Sequence, residues 1–178
     1  MEFNELIQLR RSVRAYEPGR TVERSAIEEI LKGAQLAPTW KNFQTGRYYA
    51  VLSPEMVEQV RETCLPPFNQ KSCKDASALI VTAFVRDVSG FSKGEPDNEW
   101  GNQWGAYDLG MQNAYLILKA RDLGLDSLIM GIRDAEKLRQ LLNIPETEDV
   151  AAVIALGYRE GEPLWRPRKE LEEVVRFF

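Results

Sequence analysis

Trp104-Gly105-Ala106-Tyr107-Asp108-Leu109-Gly110-Met111-Gln112-Asn113-Ala114-Tyr115-Leu116-Ile117-Leu118-Lys119-Ala120-Arg121-Asp122-Leu123 contains no proline and is the strongest helical run in the chain. Leu109, Asn113, Leu116, Ile117 and Ala120 fall on one side of such a helix. Met111, Ala114, Tyr115 and Leu118 fall on another. A helix that is apolar on most sides is buried on most sides. In a chain of 178 residues this predicts either a central helix or one shared with a second subunit. Gly124 suits the position just past its end, where the backbone turns left-handed.

Working outward, Ala78 to Val85 is apolar almost throughout and reads as a buried strand. Leu125 to Ile132 reads as a strand, and Ala151 to Tyr158 as a second near-continuous apolar strand. Asp134 caps a helix through Leu142, which Ile144-Pro145 ends. Between strand and long helix, Asp87 to Gln103 is irregular and polar, yet holds Phe91 and Trp100. Loops of this length are often lids; alternatively the aromatics only fasten the loop to the body. Towards the N-terminus, Asn4 to Arg10 reads as a helix with Leu6, Ile7 and Leu9 as its apolar side. Pro18-Gly19 breaks the chain. Thr21 is the expected N-cap of a helix to about Leu36, with Ile27, Ile30, Leu31 and Ala34 along one face. Pro38 ends it. Arg47 to Leu52 reads as a strand, Ser53-Pro54 opens another helix, and Pro66-Pro67 stops the chain. Helices alternating with strands predict a mixed α+β or α/β sheet.

The composition, 44% apolar and 28% charged, is that of a globular domain. No apolar run approaches the roughly 18 residues needed to cross a bilayer. The acidic opening, Met1-Glu2-Phe3-Asn4-Glu5, is unlike a signal peptide, so a cytoplasmic location is expected, with no membrane partner. Cys64 and Cys73 read as structural thiols. The chain has no histidine. That removes Ser-His and Cys-His nucleophile pairs and histidine metal ligands. Acids, lysines or a bound cofactor must carry any chemistry, and no metal site is expected.

Arg10-Arg11-Ser12-Val13-Arg14 stands out against a net charge of −4. Arg presents a planar fork of donors that matches phosphate, and Ser adds a hydroxyl. The cluster reads either as a site for a specific anion or as a solvated surface. The acidic balance and the lack of an extended basic face argue against nucleic acid. There is no GxGxxG or Walker-type loop.

The separate clusters are Arg10-Arg11-Ser12-Val13-Arg14, Ala37-Pro38-Thr39-Trp40-Lys41-Asn42-Phe43-Gln44, Leu123-Gly124-Leu125, Met130-Gly131, Leu156-Gly157-Tyr158 and Arg166-Pro167-Arg168. In order and spacing, from about Leu6 to Val175, the chain resembles the nitroreductase family of FMN-dependent oxidoreductases. The resemblance implies an α+β fold, a mixed central sheet flanked by helices, in one FMN-binding domain over residues 1–178. It also implies a homodimer with FMN at the subunit interface. Arg10, Arg11, Ser12 and Arg14 would bind the phosphate and ribityl chain and reach the pyrimidine edge, and Arg166 and Arg168 would return to the phosphate. Asn69 would hold the pyrimidine edge, and the backbone at Met130-Gly131 would lie against the ring near N5 and O4. Pro38, Thr39, Trp40 and Asn42 would come from the other subunit. The chain departs from the family at Thr39-Trp40, where Ser and a small residue are usual. It departs again at Thr45-Gly46, where Pro and an aromatic are common, and at Met130, where some members carry Glu. A Trp at position 40 either stacks on the flavin or narrows the pocket.

The function implied is oxidation of NAD(P)H by bound FMN in a ping-pong manner, with flavin N5 rather than a side chain as the reacting centre and a nitroaromatic or quinone as acceptor. The alternative is a flavin- or nucleotide-binding regulator without efficient turnover, which a Trp40 covering the ring would favour.

Overall fold

The computed structural model describes residues 2–178; Met1, the first residue of the acidic opening, lies outside them. Helices α1 (Phe3–Leu9) and α2 (Arg24–Gln35) come first, then a single tight turn at Trp40–Asn42. Strand β1 (Gly46–Val51) precedes α3 (Pro54–Cys64) and α4 (Pro67–Ser72). After β2 (Ala78–Val85) come a small hairpin, β3 (Phe91–Ser92) and β4 (Glu95–Pro96), and the long α5 (Gln103–Asp122). Next follow β5 (Asp126–Met130), α6 (Ala135–Leu142), β6 (Glu148–Gly157) and α7 (Leu171–Val174).

Local signals set several boundaries. Ser53 Oγ accepts a hydrogen bond from Met56 N, with Pro54 in the first turn. The Asp134 carboxylate accepts from Lys137 N at 3.0 Å. Gly124 ends α5 with φ +80°. Two expectations change. Thr21 is not a cap: α2 starts at Arg24 after Glu23, with no side-chain cap. The reason is tertiary, because Val22 is buried and its N–H donates to Ser77 Oγ at 2.9 Å, which keeps the chain extended there. Pro67, expected only to stop the chain, stands in the first turn of α4, where a proline loses no needed N–H.

The sheet runs β1-β2-β6-β5, and every neighbouring pair is antiparallel. Among the described residues the parallel element is a bridge from Ser12 to Ser127 on the outer edge of β5. The fold is therefore α+β, and the α/β alternative falls.

Both faces of the sheet are covered. Leu79, Val81, Val153 and Ala155 point to a core with Val57 and Val60 of α3 and Leu138 of α6. Ile80, Ile154 and Leu156 point the other way, against Ile27, Ile30 and Ala34 of α2 and Leu116 and Ala120 of α5. Period-two alternation on a strand buried on both sides explains why β2 and β6 are apolar almost throughout.

The long helix is covered on one side only. Asp108, Leu109, Gln112, Asn113, Leu116 and Ala120 are buried, whereas Tyr107, Gly110, Ala114 and Tyr115 face outwards. Among the described residues no helix is long and apolar enough to cross a membrane.

Candidate active site

The two arginine clusters, separated by some 150 positions, meet. Ile7, Gln8, Arg11, Trp165, Arg166 and Arg168 line one cleft of about 400 Å³. Arg10 stands beside it. Its guanidinium is pushed below the usual arginine range, first by partial burial and then by the charges of Arg168 and Arg11. Like charges gathered in one cleft favour the approach of an anion. Trp165, which the sequence did not single out, forms a wall of this cleft.

The chain just after α1 then runs along the edge of β5. Val13 N donates to Ser127 O at 3.0 Å, which buries Val13 and leaves Ser12 and Arg14 exposed on the outer side. Gly131 stands four residues beyond Ser127, about 13 Å along an extended strand. Asn69 is buried in α4, and its Nδ2 donates to Ile132 O at 2.9 Å. That bond joins Asn69 to the segment after β5 and leaves its Oδ1 as an acceptor. The Met130 side chain is in the core, so only its backbone is available to a ligand. Gly131 is exposed with an ordinary φ, and a Cβ built there meets nothing within 4 Å. Packing within the chain therefore does not require glycine at this position.

Residues 38–44 lie elsewhere. Trp40 N donates to both carboxylate oxygens of Asp108 in α5, at 3.1 and 2.9 Å. Gln44 N donates to Thr39 Oγ1 at 3.1 Å. Lys41, Asn42 and Gln44 all have left-handed φ, between 46° and 58°, a conformation that costs roughly 1–2 kcal/mol per non-glycine residue. The Trp40 ring packs 4.7 Å from that of Trp104, which in turn lies 5.0 Å from Trp100 and 5.7 Å from Tyr107. Of the two aromatics of the 87–103 segment, Trp100 thus packs on the long helix, whereas Phe91 lies beside Gly101 of the same segment. Lys41 Nζ also reaches Ser92 Oγ at 3.2 Å and Asp97 Oδ2 at 3.6 Å.

The two sets occupy different ends of α5. The loop at Trp40 is tied to Asp108, while Phe3 and Leu6 of α1 share a cleft with Tyr115, Leu118 and Lys119. Asp108 and Lys119 are about 16 Å apart along the helix axis. None of residues 38–42 lines the arginine cleft. Cys64 and Cys73 are buried and free, and burial pushes the Cys73 thiol up to about 11, well away from reactivity.

Comparison with known proteins matches residues 7–158 to the model of the nitroreductase family. A protein of Archaeoglobus fulgidus, whose name pairs NADH dehydrogenase with NAD(P)H nitroreductase, is 33% identical over 165 residues, covering 90% of this chain and 87% of that one. A nitroreductase family protein of Streptococcus pneumoniae TIGR4 superposes with a TM-score of 0.85 at 20% identity, over 99% of this chain and 100% of that one. A solved oxidoreductase containing FMN superposes with a TM-score of 0.76 at 26% identity, over 90% of this chain and 79% of that one.

Proposed function

The chain belongs to the nitroreductase family, and on that premise we propose that it is an FMN-dependent oxidoreductase, one FMN-binding domain over residues 1–178. It takes electrons from NAD(P)H and delivers them to a small organic acceptor of nitroaromatic or quinone type. The observation that carries this reading is the meeting of Arg10 and Arg11 with Arg166 and Arg168 in an acidic chain. The residues fit FMN in three respects. The arginines supply bidentate donors for a phosphate. Asn69 keeps a free acceptor for an N–H on the pyrimidine edge. The missing Cβ of Gly131 leaves room for a flat ring against the backbone.

FMN, when bound, supplies the N5 centre that accepts hydride from the nicotinamide and then gives up the electrons to the acceptor. The chain binds and orients it. Arg10, Arg11, Ser12, Arg166 and Arg168 hold the phosphate and ribityl chain. Arg14, exposed beside Ser12, brings positive charge to the pyrimidine edge, where negative charge gathers on reduction. Asn69 fixes the same edge, and the Met130-Gly131 backbone supports the ring. One pocket serves reductant and acceptor in turn, which makes the kinetics ping-pong.

Pro38, Thr39, Trp40 and Asn42 complete the site of the partner in a homodimer. Their separation from the arginine cleft along α5 supports this. So does the outward face of α5, where Gly110 and Ala114 allow close approach between Tyr107 and Tyr115. Leu171, Val174, Phe177 and Phe178 are exposed as well, and apolar surface on this scale belongs to obligate interfaces. The engagement of Trp40 with Trp104 in its own chain argues for an open ring face, and so for turnover over a regulator whose flavin is covered.

The test is direct. The purified protein should show a flavin spectrum, release FMN on denaturation, prefer FMN to riboflavin, and oxidise NADH or NADPH faster with a quinone than free FMN does. A colourless protein indifferent to FMN would refute the assignment.

A further inference from the structure

Asp108 is 2% exposed and, among the described residues, forms no ion pair. Its carboxylate is held by hydrogen bonds alone. Both oxygens accept from Trp40 N, and Oδ2 also accepts from Ser89 Oγ at 2.7 Å. Ser89 is itself buried, with its Oγ 3.2 Å from Thr45 Oγ1, which is buried too. One carboxylate on a rigid helix therefore joins the turn at Trp40, the first residues of the 87–102 segment and the entry to β1. A buried carboxyl group needs partners for its oxygens, and here its hydrogen bonds go to two loops rather than to α5. The Trp40 loop also carries three left-handed residues, Lys41, Asn42 and Gln44. Such a conformation persists only where the surroundings over-determine it.

We propose that Asp108 is the positioning residue that couples the 39–44 loop to the 87–102 lid and so sets the shape of the acceptor pocket. This rests on the reading that residues 38–42 face the FMN of the partner chain. Asp108 touches neither cofactor nor substrate; it acts through Trp40 and Ser89. Asp108→Asn keeps the shape and one acceptor for Trp40 N, and Ser89 can turn to accept from the new amide. Ser89→Ala releases the lid alone. Asp108→Ala releases both segments.

The three variants are compared as holoenzymes with a compact and a bulky quinone, and as apoproteins by far-ultraviolet circular dichroism in a Trp100→Phe background, which removes the second coupled pair and leaves Trp40 and Trp104, 4.7 Å apart, to give the exciton couplet. Asp108→Ala is expected to raise KM for the bulky quinone about tenfold or more and Ser89→Ala about threefold. Asp108→Asn stays within about twofold of the unaltered enzyme. In all three, kcat and FMN affinity change less than threefold. The couplet is lost in Asp108→Ala and kept in Asp108→Asn. An unchanged couplet in Asp108→Ala overturns the coupling, as does a fall in melting temperature with couplet and KM both unmoved. A lost couplet with unmoved KM leaves Trp40 tied to Asp108 and overturns the reading that its loop borders the acceptor. Should Asp108→Ala fail to fold, Ser89→Ala and Asp108→Asn decide the matter, and equal KM in both overturns the proposal.

Discussion

The arginine cleft and the tryptophan-capped lid are built on opposite principles. In the cleft, Arg11, Arg166 and Arg168 form no ion pairs among the described residues, and Arg10 is crowded by like charge. Its positive charge is left unbalanced by its described neighbours. The lid holds itself together: Trp40, Trp100, Trp104 and Tyr107 pack on one another, and Ser89 Oγ donates to Asp108, with the buried Trp40 Nε1 left as an unpaired donor. One region is organised to bind, the other to keep a shape. A cofactor should therefore be lost through the first and substrate preference altered through the second.

The sharpest way to break that division is a mixed dimer. A chain carrying Arg10→Ala is paired with one carrying Asn42→Ala. If each site draws its cleft from one chain and its loop from the other, one site holds both lesions and one holds none. The one site that still holds FMN then shows the unaltered KM for a bulky quinone. The KM of the Asn42→Ala homodimer in that site would mean that each chain builds its own site.

Next in size is the phosphate. Arg168→Ala should weaken FMN binding by about 1.5–3 kcal/mol, the worth of a charge-assisted contact, while riboflavin affinity hardly moves. Titration of both ligands checks this, and equal losses would remove the cleft from the phosphate.

Gly131→Ala sharpens the picture at the ring end. A Cβ there meets nothing in the chain, so the apoprotein should melt as before while FMN affinity falls about tenfold, roughly 1.4 kcal/mol. A change in apoprotein melting with unaltered FMN affinity would return Gly131 to a purely structural role.

On the lid, Phe91→Ala or Trp100→Ala should alter KM or kcat for bulky acceptors severalfold with FMN still bound. Unchanged kinetics in both would make the aromatics mere fastenings. The smallest effect belongs to Lys41→Met, which removes a half-exposed pair with Asp97. Its kinetics should change by less than about twofold, and the change should vanish at high salt.

The legibility of the sequence follows the same split. Ser53, Asp134 and Gly124 act within three residues of themselves, so local rules found them. Helix α5 was found from its periodicity, although its uncovered face had two readings that only packing could separate. The antiparallel order of the sheet was not legible, because it depends on where β6 inserts. Residue types marked both arginine clusters, and the resemblance joined them across the length of the chain. Asp108 escaped because its partner Trp40 is 68 positions away, and an aspartate in a long helix looks like an ordinary solvated residue. Trp165 escaped because nothing local distinguishes a tryptophan beside arginines from one on the surface.

The register of β2 on β6, Ala78 opposite Leu156 and Val85 opposite Glu148, has a consequence during synthesis. Chains elongate at about 5–20 residues per second. An apolar strand thus waits roughly 4–15 seconds, with one edge covered by β1 and the other bare, before its second neighbour has been made. Exposed strand edges of this kind recruit the wrong partners. Arg166 and Arg168 emerge later still, so the arginine cleft is completed only after the sheet. On the proposed reading, a nascent chain short of them cannot yet capture FMN and be stabilised by it.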